Sequence, residues 1–146
     1  MIQRIQTLWL FLASAAALAS LKFATYSYPV SDIKPSDTNV APAAREVYIN
    51  GASTVFLIVI TVAIAVASMI LIFLYKDRPK QKWLTLLVLL ASLGNIALYY
   101  RESRFYPSGS FNLTALIVFI IPVLLFLAFR GIWRDEKLVK STDRLR

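Results

Sequence analysis

An all-α integral membrane fold, a bundle of four transmembrane helices, is what this sequence predicts. Three observations carry the prediction. Apolar residues make up 58% of the 146 and charged residues only 16%, against about 25% charged in soluble domains. The apolar residues fall in four continuous runs, which selects helices over the short alternating strands of a membrane barrel. A chain this small has too much surface for its volume to hide so much apolar area from water. The whole chain, 1–146, reads as a single domain.

Each run is close to the ~20 residues that cross a hydrocarbon core of about 30 Å as a helix. The first spans about 5–21. Met1 to Ala19 also has the layout of a secretory signal, with Arg4, an apolar run and Ala17-Leu18-Ala19 as a cleavage site. Retention is favoured because only one Arg precedes the run. Ala13, Ala17 and Ser20 also share a helix face on which small residues allow close packing.

The loop 22–52 holds Pro29, Pro35, Pro42 and Gly51, which break helices. Within it, 24–28 and 46–49 have strand-like composition and could pair as a small β-ribbon in this first external loop. Tyr26, Tyr28 and Tyr48 there are either a contact surface or interfacial anchors of a plain connector. Asp32, Asp37 and Glu46, the acids of this loop, read as solvated charges.

The second run, 54–75, contains no charge at all. A tight basic loop, 76–82, makes the second and third helices antiparallel neighbours. The third run is 83–100, opened by Trp83 and closed by Tyr99 and Tyr100, whose amphipathic rings suit the headgroup level. Tyr106-Pro107-Ser108-Gly109 then signals a turn. The fourth run, 111–129, carries Pro122, which removes a backbone hydrogen bond and bends a helix. It leads into the tail 130–146, where a helical continuation would set Glu136 and Lys140 four apart in the favourable order.

Lys and Arg decide orientation. Arg4, the four bases of 76–82 and the six of 130–146 make eleven on one side, against five in 22–52 and 101–110. Both termini are expected in the cytoplasm, with the protein multi-pass in a bacterial inner membrane. The net charge of +8 then meets anionic lipid, and nucleic acid is not expected as a partner because no stacking aromatics interleave the basic runs.

The chemistry on offer is narrow. There is no His and no Cys, which removes imidazole ligation, thiolate metal sites and the commonest general base. No ionisable group lies within the four runs, as a proton-coupled carrier would require. No phosphate loop or serine elbow is present. No catalytic residue, cofactor or metal is expected, and the chain is not read as an enzyme. Asn95, beside Gly94, is the most polar residue of the runs and calls for an interhelical polar contact. Thr61 and Ser68 can bond their own helix's carbonyls. Ala63, Ala67 and Ala91 add further small-residue faces.

The two ends carry a recognisable pattern. Met1-Ile2-Gln3-Arg4-Ile5-Gln6-Thr7-Leu8-Trp9 and Arg134-Asp135-Glu136-Lys137-Leu138-Val139-Lys140-Ser141-Thr142-Asp143-Arg144-Leu145-Arg146 resemble the ends of an uncharacterised family of Bacteroidota inner-membrane proteins, known as a domain of unknown function. The resemblance implies four helices and supports retention of the first. It implies no reaction, cofactor or site. It directs attention to Arg4, Arg134, Asp135, Glu136, Lys137, Asp143 and Arg144 as residues that pair across the bundle foot or contact a partner. Asp135, Glu136 and Asp143 oppose binding to anionic lipid, which favours a protein contact. The expectation is a non-enzymatic accessory or scaffold subunit of a larger membrane complex, with membrane lipids and a membrane protein as partners. The alternative is a lipid- or small-molecule-handling protein, a transporter or channel.

Overall fold

No proline or glycine interrupts the sequence from Ile2 to Ser20, and in the computed structural model these residues form helix α1. The structure describes residues 2–29 and 46–143, with the backbone alone at 2–4, 46, 76 and 139–143. Asp32, Asp37 and Arg144, singled out above, therefore lie outside the described residues, as do the side chains of Arg4, Glu46 and Asp143. α1 buries Gln6, Leu10, Ala13, Ser14, Ala17 and Ser20 along one face. Three- and four-residue spacing sets such residues one above another on a helix.

The chain then forms strand β1 (Tyr26–Pro29) and strand β2 (Glu46–Ile49), paired antiparallel with Tyr26 opposite Ile49 and Tyr28 opposite Val47. This is the expected ribbon. A third strand was not expected. β3 (Ser110–Phe111) adds to the free edge of β1, in the order β2-β1-β3. Two residues are too few to show a strand pattern, so the 101–110 segment read only as a turn. That turn is present, with the Gly109 amide donating to the Tyr106 carbonyl.

Helix α2 (Val55–Phe73) ends in a single 3-10 turn, Leu74–Lys76. Helix α3 (Arg78–Ser103) starts five residues before its apolar run. Pro79 explains the difference, since proline is tolerated in a first turn, where its missing N–H has no intrahelical partner. The basic segment 78–82 is thus helix, and the connection between α2 and α3 is shorter than the sequence suggested. Helix α4 (Ala115–Asp143) starts late because Ser110 and Phe111 are spent on the sheet, and it continues through Pro122 and beyond the apolar run.

α1 and α3 each lie between α2 and α4. One core cluster holds Leu10, Ala13, Ala17, Ile64, Leu71, Val88, Ile121 and Leu125. A second joins Tyr26, Tyr28 and Ile49 of the sheet to Leu57, Tyr99 and Val118 of the helices. The sheet therefore caps one end of the bundle, the head; the other end, the foot, gathers the chain's two extremities. Val55–Phe73, Arg78–Ser103 and Ala115–Leu138 are long and apolar enough to cross a membrane. The apolar part of α1, Ile5–Ser20, is shorter. Outward positions such as Phe56, Val59, Leu87, Leu90, Leu116 and Val123 are exposed, an apolar surface of the kind that marks a membrane or protein contact.

Candidate functional site

The foot is built by five polar side chains, Gln6, Gln81, Lys82, Asp135 and Glu136, at the ends of otherwise apolar helices. Gln6, one turn into α1, donates from Nε2 to Oδ2 of Asp135 on α4 at 2.6 Å, and both residues are buried. Gly131, one turn before Asp135, makes room for this contact. A Cβ there would stand 2.8 Å from Cγ of Gln6, closer than carbon atoms pack. On α3, the Gln81 Nε2 donates to the Leu71 carbonyl at 2.8 Å. Leu71 lies in the last turn of α2, whose carbonyls lack helical partners, so Gln81 satisfies one of them. Next to it Lys82 donates from Nζ to Oε2 of Glu136 at 2.6 Å, with side chains 21% and 10% exposed.

All four helices meet around a half-enclosed recess of about 280 Å³. Gln6 and Thr7 of α1, Arg78 and Gln81 of α3, and Asp135 of α4 supply its polar wall, with Tyr75 from the 3-10 turn. Ile72 and Ile132 line it with apolar surface. Among the described residues the Arg78 guanidinium has no carboxylate within ion-pairing distance, whereas Lys80 pairs with Asp77 and Lys82 with Glu136. The recess thus contains one fixed cation and one fixed anion that do not neutralise each other by contact.

The candidate residues of the tail separate into two groups. Asp135 and Glu136 are turned inward and buried. Arg134 and Lys137 are exposed, as is Arg130 one turn earlier. The outer surface of the foot is therefore more basic than the sequence of the tail suggests. Gln6, Arg78, Gln81 and Lys82 were missed by sequence reasoning. The signal for Gln81 is its spacing with Thr85, Ser92 and Asn95, which places all four on one face of α3.

That face is the buried one. The inward positions of α3 are Gln81, Thr85, Val88, Ser92, Asn95, Tyr99 and Ser103. Thr85 and Ser92 donate to carbonyls of their own helix, those of Gln81 and Leu89, at 2.7 Å each. Asn95 is 1% exposed, and its Oδ1 accepts from the Thr61 hydroxyl of α2 at 3.5 Å. Ser68 bonds the Ile64 carbonyl at 2.7 Å, while Ser14 reaches from α1 to the Ala65 carbonyl of α2 at 3.0 Å. Gly94 faces outward, and nothing stands within 4 Å of where its Cβ would be. Ala63 is likewise exposed.

At the head, Tyr26 and Tyr28 are buried while Tyr48 remains 54% exposed. The Tyr28 and Tyr106 rings stack with centroids 3.8 Å apart, and the Tyr26 hydroxyl donates to the Tyr106 carbonyl at 2.6 Å. Two of the three loop tyrosines are thus structural, which leaves Tyr48 alone as an outward contact. Among the described residues no cluster of three or more acidic groups is placed to hold a metal ion.

No curated protein and no solved structure matches this chain. One family model does, over residues 2–145, and its span takes in both extremities that meet at the foot. The chain therefore belongs to the family described as domain of unknown function DUF4293.

Proposed function

We propose that this chain is a non-enzymatic multi-pass protein of a bacterial inner membrane that handles a lipid or another small polar molecule at its foot. In this reading α1 joins the three longer helices in the bilayer, and the foot with both termini lies on the cytoplasmic side, where the Lys/Arg excess belongs. The observation that supports it is the recess itself: concave, of mixed polar and apolar lining, bordered by all four helices and containing an Arg78 with no ion-pair partner among the described residues. Small-molecule sites have this form, a pocket with a few convergent polar groups.

The burial of Asp135 and Glu136 moves this reading ahead of the accessory-subunit one. Those acids favoured a protein contact because they would repel lipid phosphate. Turned inward and bonded to Gln6 and Lys82, they leave Arg130, Arg134 and Lys137 outermost. Anionic headgroups attract such residues by about 1 kcal/mol each.

A subunit role is the second reading, favoured by the length of α4. Its 29 residues extend about 43 Å at 1.5 Å per residue, well beyond a core of about 30 Å. The end of that helix would project past the bilayer and offer Arg134 and Lys137 to a partner. Extraction from native membranes in mild detergent, followed by native mass spectrometry, distinguishes the two. A retained small molecule or lipid, lost in Arg78→Gln, supports the first reading. A stoichiometric protein, lost in the double variant Arg134→Gln, Lys137→Gln, supports the second in its place.

A further inference from the structure

We infer that the foot recess selects a zwitterion, an amine joined to a phosphate ester, with the ammonium at Asp135 and the phosphate at Arg78. The inference rests on the recess being the binding site and names the ligand that site would take.

The charge arrangement carries the argument. Arg78 and Asp135 line the same recess, yet no ion pair joins them among the described residues. A purely anionic ligand would meet Arg78 but would also lie beside the Asp135 carboxylate. A purely cationic one would meet the reverse. A ligand of both signs satisfies both walls, and like-charge juxtaposition excludes the others. The guanidinium presents a planar fork of donors that matches phosphate oxygens two at a time. One carboxylate oxygen of Asp135 accepts from Gln6. That bond fixes the group in place and leaves the other oxygen for an ammonium donor.

Size and position agree. A space of about 280 Å³ far exceeds the 10–15 Å³ or so that a single water needs. Tyr75 lines the recess, and Trp133, which follows the lining residue Ile132 on α4, is exposed. Such residues sit at the headgroup level of a bilayer. An ethanolamine phosphodiester of a membrane lipid fits this setting, and soluble phosphoethanolamine shares its chemistry.

The full chain in detergent is titrated with phosphatidylethanolamine, phosphatidylcholine and phosphatidylglycerol of identical acyl chains, and separately with soluble phosphoethanolamine. Bound species are counted by native mass spectrometry, and thermal unfolding is followed in parallel. On the unaltered protein, the ethanolamine lipid should bind about tenfold more tightly than the other two. Methylation removes the amine's donors in choline, and glycerol lacks the positive charge. Asp135→Asn, which keeps the side chain's shape, should abolish that preference. Arg78→Gln, at a guanidinium with no ion-pair partner among the described residues, should weaken every phospholipid.

Stabilisation by soluble phosphoethanolamine without lipid binding keeps the zwitterion and identifies a soluble source. Equal or tighter binding of phosphatidylglycerol, still sensitive to Arg78→Gln, overturns the zwitterion while the recess remains a site. No binding of any probe overturns both. Should Asp135→Asn fail to fold, the order of the three lipids on the unaltered protein still decides.

Discussion

Lys82, in the second turn of α3, donates to Glu136 near the end of α4 at 2.6 Å, across 54 positions of sequence. With Gln6 on Asp135, it ties three helices together at the foot through neighbouring residues of one α4 turn. Both acids thus join α4 to a neighbouring helix.

Removing one member of the Lys82–Glu136 pair should therefore cost stability. Glu136→Gln or Lys82→Met should each lower it by about 1–3 kcal/mol. That is less than the ~3–5 kcal/mol of a fully buried pair, because Lys82 retains some exposure. The double variant Lys82→Met, Glu136→Gln should lose less than the sum of the two single losses. Thermal unfolding of the four proteins in one detergent closes the cycle, and additive losses would show that the pair does not interact.

Two glycines should respond to alanine with opposite signs. Gly131→Ala drives a methyl into Gln6, displaces the Gln6–Asp135 bond and should destabilise by about 1–3 kcal/mol. Gly94→Ala meets open space and should stabilise by roughly 0.5–1 kcal/mol through reduced backbone freedom in the unfolded chain. Unfolding temperatures check both. A loss at Gly94 would mean that another helix packs on that face.

Gly109 is required for space and not for conformation, since no described residue has a positive φ. A Cβ there would lie 2.6 Å from the Ser27 carbonyl oxygen and meet the Tyr26 ring. Gly109→Ala should release β3 from β1. Hydrogen exchange should then accelerate at the Asn112 amide, which donates to the Thr25 carbonyl at 3.0 Å, while foot amides keep their protection. Unchanged exchange at Asn112 would refute this.

Asn95→Leu tests whether the polar interior of α3 is adhesive or conductive. If the amide only holds α2 to α3, the variant loses about 0.6–2 kcal/mol, and Thr61 turns its hydroxyl to its own helix. Ligand binding at the foot, over three helical turns away along α3, should then be unchanged. Lost binding or flux with full stability would place Asn95 on a path through the bundle.

Much of the fold was legible because long continuous apolar runs have few alternatives to helix. The four apolar runs, the ribbon from Tyr26 and Val47 and the turn ending at Gly109 all follow from local composition. The boundaries at Arg78 and Ala115 did not. A helix start of mixed charge looks like a loop until Pro79 is recognised as a first-turn residue, and Ser110–Phe111 become a strand only through the existing edge of β1. The site was half legible. Asp135 and Glu136 stood out as acids in a basic tail, but their direction depends on partners 129 and 54 residues away. Gln6 and Gln81 appeared as ordinary flanking polar residues for the same reason.

The inward face of α3 has a consequence for how the protein is made. All seven inward positions but Val88 carry a hydroxyl or an amide, so a newly synthesised α3 entering a bilayer alone would turn that face toward hydrocarbon. α2, charge-free and joined to it by a single 3-10 turn, is available to shelter it from the start. Insertion should thus proceed as a helical hairpin, and glycosylation-tagged reporters should show the isolated α3 segment entering membranes poorly and the α2–α3 unit well. The open side of that hairpin is closed last, when α4 arrives and Glu136 meets Lys82.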